Sequence, residues 1–220
     1  GPVSVRIINN DYKNWDVAMS PVPLDKSDPV VKEKLESKFV SKVRPGHADL
    51  AGAIKFGHED IRNVLERSSA RETTSRVVAG AVCKKLLKIV GIDIVSYVTR
   101  IGSAFIDDDV LGSNYLELFK KAEKSEVRCP DEKTSELMKK AVDEARANGD
   151  TIGGVTKIVA INLPIGLGSF THWDKRINGR IAGALMSVHT VKSVEIGIGK
   201  KVGELYGSKV HDQIQINPEW

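Results

Sequence analysis

Residues 59–90 read EDIRNVLERSSARETTSRVVAGAVCKKLLKIV, and this stretch decides the class of fold. Its apolar residues recur at spacings of three and four on both sides of the centre, which predicts two helices. The apolar positions are Ile61, Val64, Leu65, Val77, Val78, Ala81, Val82, Leu86 and Val90. The polar segment 66–72 interrupts both apolar stripes, so we expect it to serve something other than the core.

Strands are predicted on both sides of this helical stretch. Apolar residues alternate with others over 3–8, which predicts a strand with one buried face. Residues 92–101 and 155–161 are rich in β-branched side chains, which predicts two more strands, the second of them buried. The segment 191–198 is expected to be mostly extended.

Further helices are predicted from apolar spacing along the rest of the chain. A short helix around 31–39 is expected within a proline-rich loop, and longer ones over 137–145 and 177–188. The helix over 137–145 should end at Asn148-Gly149, and residues 201–206 should form a helical turn. Because helices and strands interleave, the residues leave α/β and α+β open as fold classes.

The composition is that of a globular protein with a modest positive excess. The 220 residues include 33 Lys and Arg against 29 Asp and Glu, a net charge of +4. With 41% hydrophobic and 28% charged residues, the chain is neither disordered nor collagen-like. It can bury a core as one domain or at most two small ones, and we expect one over residues 1–220. No block of five Lys or Arg occurs, so the sequence does not favour nucleic-acid binding.

The cysteines and histidines indicate a reducing compartment and no metal. Cys83 and Cys129 are too few for a disulfide framework, the chain shows no signal-peptide pattern with a basic start and an apolar core, and no apolar run approaches the ~18 residues of a membrane span. A cytoplasmic protein without membrane insertion is therefore expected, and Gly1-Pro2 suggests a truncated chain. The remaining histidines outside the loop 44–49 show no metal-ligand spacing. They are His58, His172, His189 and His211.

A helix start within the segment 66–72 is a candidate anion site. Ser69 and Glu72 form a Ser-x-x-Glu capping box, which would begin a helix at Ser69. Arg67 and Arg71 flank this start, where a cation opposes the helix dipole by up to ~1 kcal/mol unless an anion offsets it. One interpretation is a phosphate or carboxylate site built from these arginines, Ser68, Ser69 and backbone amides. An ordinary capping box with solvated or glutamate-paired arginines is the other, and both stay open.

The loop 44–49 is a second candidate. Its Pro45-Gly46 turn can project Arg44 and His47 together from a rigid loop. His47 could act as a general acid or base near neutral pH, oriented by Asp49. A solvated His–Asp pair is the more common outcome for such a loop.

Ten segments, taken in order, closely resemble the chorismate synthase family. The first five lie between residues 44 and 80: Arg44-Pro-Gly-His-Ala-Asp-Leu, Lys55-Phe56, Asp60-Ile-Arg62-Asn63, Glu66-Arg-Ser-Ser-Ala-Arg-Glu-Thr73 and Arg76-Val-Val-Ala-Gly80. The others are Gly149-Asp-Thr-Ile-Gly-Gly-Val155, Pro164-Ile-Gly-Leu-Gly168, Ala184-Leu-Met-Ser187, Val191-Lys-Ser-Val-Glu-Ile-Gly197 and Gly207-Ser208 through Asp212. These matches cover essentially the whole chain.

The resemblance implies an α+β fold, a β-α-β sandwich with helices between antiparallel sheets, usually assembled as a homotetramer. It implies a lyase of the shikimate pathway that converts 5-enolpyruvylshikimate 3-phosphate to chorismate by anti 1,4-elimination of phosphate. The implied cofactor is reduced FMN without net redox change, with NAD(P)H only as an optional reductant of the flavin. Substrate and flavin are both anionic, which agrees with the anion site inferred from the residues.

The resemblance also implies roles for individual residues. Arg44 and Arg71 resemble substrate-binding arginines, which can hold a carboxylate or phosphate bidentately. His47 resembles the active-site histidine near the flavin, where a protonated imidazole stabilises negative charge on the reduced ring. The implied flavin-contacting positions besides His47 are Arg67, Ser68, Ser69, Ala70, His189 and Thr190.

Some family features are missing or altered. Thr190 stands where the family more often has Ala, and Ser193 where it more often has Gly. The family's opening Gly-x-Ser-His-Gly segment, its arginine-rich loop and its later Asn-x-Gly-Gly and Lys-Pro motifs are absent. We therefore expect an internal portion of the enzyme that is inactive alone. Two alternatives stay open: a non-catalytic anion-binding or oligomerisation remnant, and a weaker one, an RNA-backbone binder.

Overall fold

The structure is a computed structural model that describes residues 2–68, 70–212 and 214, without the side chains of residues 70, 71, 108 and 109. The chain divides into two compact units, one formed by residues 1–79 with 168–220 and the other by residues 80–167. The single domain over residues 1–220 stays a prediction. In chain order the helices and strands are α1 (Pro29–Ser37), α2 (Asp49–Phe56), α3 (Arg62–Ser68), α4 (Ala70–Ile89), β1 (Asp93–Ile101), β2 (Ala104–Phe105), α5 (Asp108–Leu111), α6 (Tyr115–Ala122), α7 (Glu132–Ala147), β3 (Gly154–Ile161) and α8 (Ile177–Met186).

Helices of the first unit begin and end at residues suited to those positions. The Asp28 side chain accepts a hydrogen bond from the Val30 amide at 2.8 Å, and Pro29 occupies the first turn of α1, where its missing N–H costs nothing. Helix α2 ends at Gly57, whose φ of 66° is the left-handed conformation that stops helices. Helix α3 is described to Ser68 and helix α4 from Ala70, both within the predicted polar segment.

Helices α2 and α3 pack closely because a glycine faces a valine. A Cβ at Gly52 would lie 2.5 Å from Cγ1 of Val64, so only glycine permits this approach. Val64 and Ile61 are buried. The Ile61 amide donates to the Val40 carbonyl at 2.8 Å, which fixes the chain just before α3. Because α2 and α3 pack against each other, this helix pair holds both the loop before α2 and the C-terminal end of α3.

The second unit is built on an antiparallel sheet with strand order β2-β1-β3. The central strand β1 pairs with β3 in a register that sets Val95 opposite Val159. Buried Tyr97 of β1 packs with Leu118 and Ala122 of α6. A second buried cluster contains Met138 of α7, Cys129 and Ala104.

The helical predictions are confirmed, and so is the α+β class. Helices α3 and α4 carry the two apolar stripes and both extend into the segment 66–72, and helices also lie near 31–39, 137–145 and 177–188. Helix α7 ends at Asn148, followed by Gly149 with a φ of 64°, as predicted. The helical turn over 201–206 is found as a 3₁₀ helix at Gly199–Glu204. The sheet of the described residues is antiparallel throughout, which excludes the α/β class.

Two predictions about strands are wrong in whole or in part. Residues 3–8 form no strand, because no described strand pairs with them, and their apolar side chains Val3 and Ile8 stay exposed. The segment 191–198 contains no strand within the described residues, and its mostly extended conformation stays a prediction. The strand over 155–161 exists but lies at the edge of its sheet, so its side chains alternate between exposed and half-buried instead of being buried.

Candidate functional site

The loop 44–49 forms a turn that ends in a buried carboxylate. Gly46 has a φ of 68°, which allows the chain to reverse after Pro45. Asp49 begins α2 and is fully buried, with 0% of its surface exposed. A buried carboxylate needs compensating partners, and here the turn itself supplies them.

Asp49 holds both candidate residues of this loop. Its Oδ2 accepts from the Arg44 amide at 3.0 Å and from Nε of the same residue at 2.9 Å. Its Oδ1 lies 2.6 Å from Nδ1 of His47. Nη2 of Arg44 lies 3.1 and 3.0 Å from the two ring nitrogens of His47. Arg44 and His47 therefore lie together, as predicted, and Asp49 is bonded to both, while the functional roles of the three residues stay predictions.

The electrostatics of this trio follow from the ion pair. Hydrogen bonds from the Arg44 side chain, against the opposing effect of burial, lower the pKa of Asp49 from 3.8 to about 2. The same hydrogen bond raises the pKa of Arg44 above its ordinary value. With Asp49 ionised, Nδ1 of His47 is the nitrogen that donates a proton to it, and Nε2 is the nitrogen that accepts from Nη2 of Arg44. The His47 side chain remains 28% exposed, so an outside group can reach the ring.

A groove of about 360 Å³ lies along α3 and includes one of the predicted flavin contacts, Arg67. Its other lining residues are Ala18, Met19, Arg62, Asn63 and Glu66. Arg62 is paired with Asp60, yet its Nη1 is buried without a hydrogen-bond partner among the described residues. The lining of this groove therefore has mixed charge, with two guanidinium groups and the Glu66 carboxylate.

Ser68 lies at the last turn of α3, and its hydroxyl donates to the Val64 carbonyl at 2.7 Å. The hydroxyl can still accept a hydrogen bond from a bound group. Ser69, the predicted cap, and the side chains of Ala70 and Arg71 lie outside the described residues. The convergence of Arg71 with Arg44 and His47 therefore stays a prediction.

His189 is connected to the first turns of α4. Its Nε2 lies 3.5 Å from Oε2 of Glu72, and Glu72 also accepts from Nε of Arg76. The next residue, Thr190, has a φ of 77°, an unusual conformation for a β-branched residue. Only the family resemblance pointed to His189 and Thr190. Arg62, Asn63 and Arg76 each stand in a quoted motif, but no local pattern singled them out as candidates.

Two kinds of feature are not found in the described part of the chain. No helix there is both long and apolar enough to cross a membrane. No group of three or more His, Cys, Asp or Glu residues among them is placed to hold a metal ion.

Comparisons with known proteins agree on one family. The family model for chorismate synthase matches residues 1–219. A chorismate synthase of Shouchella clausii (strain KSM-K16) is 47% identical over 221 residues, which cover 99% of this chain and 55% of that protein. One of Bacillus subtilis (strain 168) is 44% identical over 213 residues, covering 97% and 53%. A crystal structure of chorismate synthase, 45% identical, superposes with a TM-score of 0.73 over 77% of this chain and 53% of that one. The chain spans about half the length of the curated relatives it matches.

Proposed function

The chain belongs to the chorismate synthase family, and on this premise we propose that the protein carrying it converts 5-enolpyruvylshikimate 3-phosphate to chorismate. The reaction is an anti 1,4-elimination of phosphate, so the protein is a lyase of aromatic amino acid biosynthesis. The single observation that carries the proposal is the buried Asp49, which holds Arg44 and His47 together in the family's signature loop. A preorganised cation beside an imidazole is what an elimination from an anionic substrate requires.

Arg44 and Arg71 bind the substrate in this proposal. The guanidinium of Arg44 is half-exposed, with 53% of the side chain accessible, and Asp49 fixes it at Nε and the backbone amide. Its remaining N–H donors can bind a carboxylate or phosphate bidentately, and the pairing limits the entropy lost on binding. Arg71 lies in the segment 66–72, where the sequence pattern predicts an anion site.

His47 is the catalytic residue of the proposal. Its ring is held at Nδ1 by Asp49, and Nη2 of Arg44 lies 3.0 Å from Nε2, so the two neighbours fix the orientation of the ring. A protonated ring can stabilise negative charge on the flavin, and loss of the Asp49 contact would leave the ring free to rotate.

Reduced FMN is the proposed cofactor, with NAD(P)H only as its possible reductant in a separate step. When bound, the reduced flavin lends electron density to the substrate as the allylic C–O bond breaks and recovers it when the proton leaves. Besides His47, its proposed contacts are Arg67, Ser68, Ser69, Ala70, His189 and Thr190. Arg67 lines a groove and can offer its guanidinium to the flavin phosphate, which supports this assignment.

Partners and location are proposed on the same premise. The substrate is a small anionic molecule, the assembly is a homotetramer, and the protein acts in the cytoplasm without nucleic acid, membrane or metal. The alternative of a non-catalytic remnant is not favoured, because the curated relatives at 43–47% identity are chorismate synthases.

The test is chorismate formation with reduced FMN by the protein that the complete reading frame encodes. His47→Ala and Arg71→Ala should each lower turnover at least tenfold, about 1.4 kcal/mol of barrier. His172→Ala is the matched control, because His172 is an exposed histidine far along the chain from the loop 44–49. Wild-type rates in both site variants would overturn the assignment of these residues, and no product from the wild-type protein would overturn the function.

A further inference from the structure

Four side chains link the start of α4 to the turn that follows α8. Both carboxylate oxygens of Glu72 accept from Nε of Arg76, at 2.9 and 3.0 Å. Nη1 of Arg76 donates to Oγ of Ser187 at 2.8 Å, across 111 positions of sequence. Oε2 of Glu72 lies 3.5 Å from Nε2 of His189. The two ends of the link are thus helix α4 and the turn 187–190.

This link does more than support its own helix. A Glu–Arg pair four residues apart ordinarily stabilises only the helix that carries it. Here Arg76 also reaches Ser187, whose hydroxyl in turn donates to the Ala184 carbonyl at 2.7 Å at the end of α8. The Ser187 hydroxyl therefore acts both as donor and as acceptor, which fixes its orientation.

The turn that this link holds is conformationally demanding. Thr190, directly after His189, has a φ of 77°, which a β-branched residue adopts only when its surroundings impose it. The Val191 amide closes the turn onto the Val188 carbonyl at 3.3 Å, a long hydrogen bond. A strained turn with a weak closing bond needs side-chain support, and the contacts from Glu72 and Arg76 supply it.

We infer that Glu72, Arg76 and Ser187 are positioning residues that hold His189 and Thr190 in the orientation in which they contact the flavin. The inference rests on the proposed function, since it assigns His189 and Thr190 to the cofactor. None of the three positioning residues needs to touch the flavin. They hold the turn 187–190 in place before binding, so the turn loses less conformational entropy when the flavin binds.

The test measures FMN affinity by flavin fluorescence in the protein from the complete reading frame. Arg76→Gln should weaken FMN binding roughly tenfold, the size expected when a charged hydrogen-bonded support is lost. Arg76→Lys, which can keep the pair with Glu72 but not the planar reach to Ser187, should fall between wild type and Arg76→Gln. Hydrogen exchange at the amides of 188–191 in flavin-free protein should be faster in Arg76→Gln than in wild type.

The matched control is Lys121→Gln, which breaks an exposed pair with Glu117 of the same spacing and order on α6. It should leave FMN affinity and exchange in the turn unchanged. Wild-type FMN affinity in Arg76→Gln, or an equal loss in Lys121→Gln, would overturn the inference while leaving the function intact. If Arg76→Gln does not fold, Ser187→Ala decides: several-fold weaker binding supports the inference, and unchanged binding overturns it. A wild-type protein that binds no FMN would overturn the proposed function and this inference together.

Discussion

Oδ1 of Asp49 lies 2.6 Å from Nδ1 of His47, and the same carboxylate holds Arg44 through Oδ2 at 2.9 Å. One buried anion therefore fixes two groups that would repel each other if both carried a positive charge. The compensation is mutual, because Asp49 would be costly to bury without them. This relationship has consequences for stability as well as for the proposed chemistry.

Acid should weaken the protein through Asp49. Its pKa is lowered from 3.8 to about 2, so its ion pair contributes fully above pH ~4 and is lost as the pH falls through 2. The contribution is at most about 2 kcal/mol. Urea unfolding between pH 5 and pH 2 should show this loss in wild type and a flatter dependence in Asp49→Asn. Asp174→Asn, at an exposed carboxylate, should keep the wild-type slope.

Gly52→Ala should destabilise the packing of α2 on α3. The new Cβ would lie 2.5 Å from Cγ1 of Val64, which is buried and has little room to move. We expect a loss of about 1–3 kcal/mol in the free energy of unfolding, measured by urea titration. A partial recovery in the double variant with Val64→Ala would identify the clash as the cause.

The control for that substitution is Gly80→Ala on α4, where the added Cβ meets no atom within 4 Å. It should stabilise the helix by up to about 1 kcal/mol, because alanine has the higher helix propensity. If Gly52→Ala and Gly80→Ala changed the free energy of unfolding equally, the clash with Val64 would not be the cause.

Thr190→Asn should raise the stability of the protein by about 1 kcal/mol. Asparagine tolerates the left-handed conformation that Thr190 adopts at a φ of 77°, whereas a β-branched residue is strained there. The midpoint of thermal unfolding is the measurement. Ser193→Asn, three residues further and without a positive φ, should give no such gain. An unchanged midpoint in Thr190→Asn would argue against strain in this turn.

Asp131→Ala should destabilise α7 by about 1 kcal/mol, because the helix loses its N-cap. Oδ2 of Asp131 accepts from the amide and from the hydroxyl of Thr134, at 2.8 and 2.7 Å. Asp143→Ala on the same helix is the control, since this carboxylate is mostly exposed and makes only a long contact with Arg146. Equal losses in the free energy of chemical unfolding for Asp131→Ala and Asp143→Ala would contradict a capping role.

The parts of the fold that the sequence predicted are those fixed by local interactions. The end of α7 at Asn148 followed from Gly149, whose left-handed conformation is a property of one residue. The start of α7 at Glu132 could not be predicted, because the first turn of this helix is polar and interrupts the apolar pattern. The short helix α2 was missed for a similar reason: it has eight residues, one of them glycine.

The strand predicted over 3–8 is wrong because a strand depends on interactions that are not local. Alternation describes what a strand would bury, but a strand also needs a neighbour, and that depends on distant parts of the chain. The same distinction holds in the site. Arg44, His47 and Asp49 stand within six positions, so their proximity could be predicted. The contact between Arg76 and Ser187 spans 111 positions, and no local pattern indicates it.

The turn that begins at Arg44 and ends at Asp49 has a further consequence for how this region can change. Surface loops generally accept insertions and deletions without harm. Here, an added residue between 44 and 49 would separate the guanidinium and the imidazole from their shared anchor in one step. The length of the loop 44–49 is therefore constrained as strictly as its composition. In an exchange between relatives, the loop has to be replaced as a whole.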